Sequence, residues 1–307
     1  LSVSPSTFNC ADVGANTVTL TVTDVNGNTS SCAATVTVND VTPPVATCQN
    51  ATIYLNSLGA GSITAAQINN GSSDNCGIAS LAVSPSSFTC ANVGSNTVTL
   101  TVTDVNGNSS ICTATVTVID NVNPVAICQN ITVNLSSSGT ASITAAQINN
   151  GSSDACGIAS MSVTPNSFTC ANVGANTVTL TVTDVNGNTS TCTATVTIHD
   201  VTPPTAVCQN ITVYLNSSGT ATIDATQIDN GSSDACGIAS LSVTPTSFTC
   251  ANIGANTVTL TVTDANGCST STSTTPAIYS IAVDAGPTDT ICGLDYTLNG
   301  QVLSATL

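Results

Sequence analysis

The octapeptide TVTLTVTD stands at Thr17–Asp24, Thr97–Asp104, Thr177–Asp184 and Thr257–Asp264, spaced by 80 residues each time. Val and Leu alternate strictly with Thr. A period of two is that of a β-strand with one buried face, so Val98, Leu100 and Val102 point inward and the threonines outward. Asn106-Gly107 follows at once, a hairpin signal that predicts a type I′ turn, and Ile111–Ile119 returns as the partner strand. The cysteines keep the same period: Cys10, Cys90, Cys170 and Cys250; Cys32, Cys112 and Cys192; Cys48, Cys128 and Cys208; Cys76, Cys156 and Cys236. Eighty residues is too long for one solenoid turn and suits one small all-β domain per repeat.

Working outward, proline-rich runs mark the joints: VNDVTPPVATC (Val38–Cys48), VIDNVNPVAIC (Val118–Cys128) and IHDVTPPTAVC (Ile198–Cys208). Proline cannot continue a strand ladder and makes a short, stiff connector. The expected organisation is residues 1–40 as the back half of a repeat, whole repeats at 41–120, 121–200 and 201–283, and the start of a different Ig-like module at 284–307. Within 41–120 the pattern predicts strands at Val45–Leu55, Ser62–Ile68, Gly77–Ser84 (Ala79, Leu81 and Val83 on one face), Asn96–Asp104 and Ile111–Ile119. Six runs are counted in all, with Phe88 following the turn at Ser84–Ser86; a short seventh strand is expected between Ala82 and Asn92, and no helical periodicity is visible. Phe88, Phe168 and Phe248, with Phe8 in the leading fragment, read as core anchors and not as binding aromatics. The fold class expected is all-β, as tandem immunoglobulin-like or fibronectin-III-like sandwiches.

Composition narrows the function. The 307 residues contain no Lys or Arg, and 16 acidic residues, all Asp, give a net charge of −16. Nucleic acid is excluded as a partner because no cation meets a phosphate, and anionic membranes for the same reason. No apolar stretch is long enough for a spanning helix, so direct membrane insertion is not expected. Fifteen cysteines without tight Cys-x-x-Cys pairs indicate disulfides made in an oxidising, extracellular compartment. Leu1 does not open a signal peptide, so a targeting signal is expected elsewhere in a longer protein.

Four cysteines per repeat allow three pairings. In a seven-strand sandwich the first and last strands run parallel, which puts Cys48 and Cys112 at one pole. With six strands that support is lost. Cys10 and Cys32 are expected to find partners before Leu1, and Cys292 after Leu307. In the last copy the cysteine moves into the hairpin as Cys268, and it is still paired with Cys208.

One stretch resembles the hyalin repeat (HYR) family: Asp104, Gly107, Asn108 and Cys112, then Ala114, Val116 and Val118, then Asp120, Pro124 and Cys128. The family implies an Ig-like or fibronectin-III-like sandwich used in adhesion. It also implies the pairs Cys48–Cys112 and Cys128–Cys192. The extra cysteines depart from that pattern, and elimination leaves Cys76–Cys90, Cys156–Cys170 and Cys236–Cys250. Thr263–Cys268, Asp284–Pro287, Ile291–Cys292 and Leu298–Gly300 resemble modules of large Bacteroidota surface proteins, the SprB-type gliding-motility adhesins exported by the type IX system.

Three Asp positions recur: Asp40, Asp120 and Asp200 at the joint; Asp74, Asp154 and Asp234 in a polar loop; Asp104, Asp184 and Asp264 before the hairpin. If the first and last strands are parallel, the three converge at one pole of each repeat. Hard oxygens suit Ca²⁺, which would stiffen the joint and offset unpaired charge. The competing reading is that each Asp caps a turn. No Ser/His/Asp set recurs, and His199 stands where Asn39 and Ile119 stand in other copies, so no enzymatic activity is expected. The expected role is a structural stalk of a secreted cell-surface adhesin, with neighbouring repeats, surface proteins or glycans as partners. The alternatives are a ligand-binding array and a non-catalytic array attached to a secreted enzyme.

Overall fold

The structure, a computed structural model, describes residues 1–280. The expectations for residues 281–307, including the module at 284–307 and the partner of Cys292, lie outside the described residues. The chain divides into two compact units. One holds Leu1–Ala126, Gly151–Met161 and Thr181–Thr191. The other holds Ile127–Asn150, Ser162–Leu180 and the chain from Cys192 onward.

The leading fragment forms β1 (Ser2–Ser4), β2 (Gly14–Thr23) and β3 (Thr29–Val38) in one antiparallel sheet. The next repeat adds β4 (Ala51–Tyr54), β5 (Ala60–Ser62), α1 (Ala65–Ile68), β6 (Ile78–Ser84), β7 (Ser87–Thr89), β8 (Gly94–Asp104) and β9 (Ser109–Ile119). Its sheets have the orders β4-β9-β8-β6 and β5-β7. β4 runs parallel to β9, with Ala51 opposite Val116 and Tyr54 opposite Ile119. The sandwich is therefore closed by its first and last strands, and both run from the pole where the connector enters (the leading pole) to the opposite, trailing pole. Val98, Leu100, Val102 and Val116 are fully buried and pack with Phe88, Ile53 and Ile68.

The next repeat repeats the plan: β10 (Ile131–Asn134), β11 (Thr140–Ser142), α2 (Ala145–Ile148), β12 (Ile158–Thr164), β13 (Ser167–Thr169), β14 (Gly174–Asp184) and β15 (Thr189–His199). The last described repeat has β16 (Thr212–Leu215), β17 (Thr220–Thr222), α3 (Ala225–Ile228), β18 (Ile238–Thr244), β19 (Ser247–Thr249), β20 (Gly254–Ala255), β21 (Val258–Asp264), β22 (Ser269–Thr274) and β23 (Ala277–Ser280). Here the large sheet splits into β18-β21-β22 and β16-β23-β20. Pro276 stands at the break, and it has no N–H to give to a ladder.

Five details differ from the pattern reading. The repeat has six strands and not seven, and β4 still runs parallel to β9 because β6 and β7 run in the same direction. The first strand is shorter than Val45–Leu55. Val45 and Cys48 make only isolated bridges, to Ser73 and Asn69, before β4 begins. Ser62–Ile68 is not a strand: β5 ends at Ser62 and a single helical turn, α1, follows. Its Thr64 and Gln67 form a reciprocal cap, and only Ile68 is buried. One turn is too short to carry a 3.6-residue period, which is why none is visible. The register of β6 slips between Ile78 and Ser80, so a bulge exposes Ala79 and turns Ile78 to the core. The hairpin is not type I′, since Asn106 does not have positive φ and Gly107 does, at 95°. A three-residue loop with glycine in the left-handed region suits a G1 bulge.

Candidate inter-repeat cation site

The polar loop is held against the incoming connector. Val45 N–H donates to the Ser73 carbonyl at 2.8 Å, and Ser73 N–H to Val45 at 3.0 Å. This pairing carries Asp74 to the leading pole beside Asp40. Asp40, Asp74 and Cys76 each bring a ligand atom within 4.8 Å of the others, as do Asp120, Asp154 and Cys156, and Asp200, Asp234 and Cys236. The three cysteines are in disulfides, so their sulfurs are not thiolate ligands.

Each carboxylate commits one oxygen to a turn. Asp40 Oδ1 accepts from Thr42 N–H at 3.0 Å, and Asp120 Oδ1 from Val122 N–H at 3.1 Å. Asp74 Oδ1 accepts from Cys76 and Gly77, and Asp154 and Asp234 repeat the bond to Cys156 and Cys236. Oδ2 of Asp40 and of Asp120 is buried with no hydrogen-bond partner, as is Asn106 Oδ1. Asp120 as a whole is only 7% exposed. An orphaned buried carboxylate oxygen is costly, and a hard cation would satisfy it.

Asp104 and Asp184 are placed differently. They face the same pole but fall outside the clusters, and each is hydrogen-bonded by its own hairpin. Asp104 accepts from Asn106 N–H (2.9 Å), Asn108 N–H (2.8 Å) and Asn108 Nδ2 (2.8 Å). Burial pushes its carboxyl up, and these donors outweigh it, holding the group below the usual carboxylate range; Asp184 behaves alike. Both carboxylates cap their own hairpin turns. Asn108 Nδ2 also reaches the Asp40 carbonyl at 3.2 Å, and Asn188 the Asp120 carbonyl at 3.3 Å, tying each hairpin to the joint.

The third cluster is altered. Cys268 replaces the hairpin Asn, so Asp264 Oδ2 loses its donor and is buried without one. Asn266 Nδ2 donates to Asp200 Oδ2 at 2.9 Å, filling the oxygen left open at Asp120. Burial raises the Cys268 thiol, with Asp264, Asp200 and Asp234 adding to the effect, so it stays protonated at neutral pH.

The disulfides correct the elimination. Cys48–Cys112 and Cys128–Cys192 close within repeats, at Cα separations of 5.9 and 5.8 Å. Cys76–Cys90, Cys156–Cys170 and Cys236–Cys250 do not form. The bonds are Cys10–Cys76, Cys90–Cys156 and Cys170–Cys236, each crossing a proline connector. Thus Cys10 does not need a partner before Leu1. Cys250 is also disulfide-bonded. The reason is polarity: Cys76 precedes β6 at the leading pole, whereas Cys90 follows β7 beside Gly59 at the trailing pole. β6 alone spans ~20 Å, against the ~5.5 Å between Cα atoms that a disulfide tolerates. Cys208–Cys268 is not formed either. Cys32, Cys208 and Cys268 are free, and Cys208 Sγ faces Thr272 Oγ1 at 3.7 Å, because Thr272 stands where Cys112 and Cys192 stand.

Residues 39–118 match the family model described as the HYR domain. Over 243 residues the chain is 32% identical to hyalin of Strongylocentrotus purpuratus, covering 75% of this chain and 20% of that protein. Over 242 residues it is 31% identical to hyalin of Lytechinus variegatus, covering 75% and 45%. The chain thus spans less than half the length of either relative. Among solved structures it is similar to protocadherin gamma B7 extracellular cadherin domains 1–4, at 12% identity and a TM-score of 0.32, covering 87% of this chain and 84% of that one. It is also similar to titin domains I67–I69, at 9% identity and 0.33, covering 79% and 100%.

Proposed function

We propose that these hyalin-like repeats form a structural stalk of a secreted adhesion protein, with Ca²⁺ held at the joints between the 80-residue domains. The observation that carries it is the joint. Each connector is paralleled by a disulfide and flanked by two carboxylates, one with an oxygen buried and unpartnered at Asp40 and Asp120. A spacer needs defined joints more than a pocket, and a cation there would offset charge that no Lys or Arg balances. Asp40 with Asp74 and Asp120 with Asp154 would hold the ion. Asn106 Oδ1 and loop carbonyls are further hard donors for the first site. Asp200 with Asp234 would be the weakest site, because Asn266 already fills it.

The partners proposed are neighbouring repeats of the same chain, then surface proteins or glycans reached by flanking domains. No catalytic role is proposed. A bacterial surface location, and a gliding-motility adhesin of the SprB type, are narrower readings supported only by sequence likeness such as Thr263–Cys268. Identification of the domains flanking this segment tests them.

Calorimetric titration of the full chain with CaCl₂ is expected to show saturable binding. Melting should rise by the equivalent of ~2.7 kcal/mol at 100-fold excess over Kd. Asp120→Asn with Asp154→Asn should remove one site. Absence of binding, with melting unchanged by chelator, refutes the cation. Saturable ligand binding on a glycan and protein array would replace the spacer reading with a ligand-binding array.

A further inference from the structure

The five described disulfides overlap along the chain. Cys10–Cys76 overlaps Cys48–Cys112, which overlaps Cys90–Cys156, then Cys128–Cys192, then Cys170–Cys236. Every peptide bond between Cys10 and Cys236 therefore lies inside at least one disulfide loop. We propose that this segment is a covalently doubled tether that stays one molecule after cleavage of any single peptide bond between Cys10 and Cys236.

The doubling follows from alternation of two bond types. Within-repeat bonds cover the body of each domain, and cross-joint bonds cover the proline-rich connectors, where exposed residues such as Val41 and Asn121 alternate with buried ones such as Pro44 and Pro124. Neither set alone achieves it. Without Cys90–Cys156, a cut between Cys112 and Cys128 parts the chain. Without Cys48–Cys112, a cut between Cys76 and Cys90 does.

The same connectivity limits extension under load. The shortest covalent route through a repeat passes from Cys76 to Cys90 and then across to Cys156. That stretch is about 14 residues, ~50 Å fully drawn out, against ~280 Å for an uncrosslinked repeat of about 80 residues. β6 and β7 already run from the leading to the trailing pole within it, so little slack is stored. The use of such a tether rests on the stalk reading, but its test does not.

Because the chain has no Lys or Arg, one substitution creates a unique trypsin site. Asn121 is exposed in the connector and is followed by Val122. The full chain carrying Asn121→Lys is alkylated to block Cys32, Cys208 and Cys268, heat-denatured without reductant, and digested. A single intact-size band is expected without reductant, and two fragments after reduction, which also proves that cleavage occurred. Adding Cys90→Ser and Cys156→Ser should release two fragments without reductant. Denaturing first makes the outcome independent of whether the variant folds. Separation of the Asn121→Lys chain without reductant overturns the proposal. A stalk without doubling would still bind Ca²⁺, and a doubled chain need not, so the two readings fail separately.

Discussion

Thr272→Cys should rebuild a disulfide that the last described repeat lacks. Cys208 is free and its Sγ lies 3.7 Å from Thr272 Oγ1, at the position where the two preceding repeats carry Cys48–Cys112 and Cys128–Cys192. The native pairs have a sequence separation of 64, and Cys208 and position 272 have the same. Closing a loop of that length removes unfolded-state entropy equivalent to ~4 kcal/mol at 25 °C. Engineered bonds often deliver less, so about half of this, ~2 kcal/mol, is taken as the working value. For a domain of this size each kcal/mol shifts the midpoint by about 4–8 °C, so ~2 kcal/mol gives an expected rise of about 8–16 °C. Scanning calorimetry of the full chain should show this repeat as the lowest transition, moving upward in the variant. Thiol titration in denaturant should fall by one relative to wild type, since Cys208 becomes paired, where an unpaired new cysteine would raise it by one. A rise in thiols refutes the pairing geometry. A fall in thiols with an unmoved transition refutes the idea that cross-links, and not the core, limit stability here.

Two other perturbations follow from named contacts. Gly139 has φ +71°, and a Cβ there would meet Cys170 Sγ at 2.7 Å and Ala235 Cβ at 3.2 Å. Gly139→Ala is therefore expected to hinder Cys170–Cys236 and raise the thiol count by two, whereas Gly151→Ala, with open space around it, should leave the count unchanged. The Asp104 and Asp184 carboxyls are held below their unfolded value, so the stability they give is fully present above about pH 4 and is lost as pH falls through the folded value. Thermal melts between pH 5 and 2 should show this acid loss, and Asp184→Asn should flatten the dependence for its repeat.

The fold was legible because its deciding signal is local. The Val-Thr alternation of β8 is a direct image of one buried face, and Phe88 beside a cysteine marks the second sheet. The bulge at Ala79, the helical turn at Ala65–Ile68 and the G1 hairpin were not legible, since each depends on one or two backbone angles that leave no period. The joint aspartates were readable as a set because parallel first and last strands bring Asp40 and Asp74 to one pole. Asp104 faces the same pole but stands outside that cluster, and its carboxylate accepts from Asn106 and Asn108 two and four residues on. The cross-joint disulfides could not be read from periodicity. A bond from Cys76 to Cys90 and one from Cys90 to Cys156 have the same pattern modulo 80. Only the direction of β6 and β7 distinguishes them, and both run from the leading to the trailing pole, which simple alternation of strand direction does not give.

The last described repeat shows what the joints make possible. Its hairpin has lost three features at once. Cys268 replaces the Asn that caps Asp264, Thr272 replaces the disulfide cysteine, and Pro276 cuts the sheet between β22 and β23. Yet Val258, Leu260, Val262 and Ile278 remain fully buried. The common element is that Cys236 is still bonded to Cys170 in the preceding repeat, and Cys250 is bonded as well. Core burial here thus coexists with the loss of the hairpin constraints while the disulfides at the poles remain. The two sets of disulfides are not interchangeable for a cut chain, which stays one molecule between Cys10 and Cys236 only when both are present.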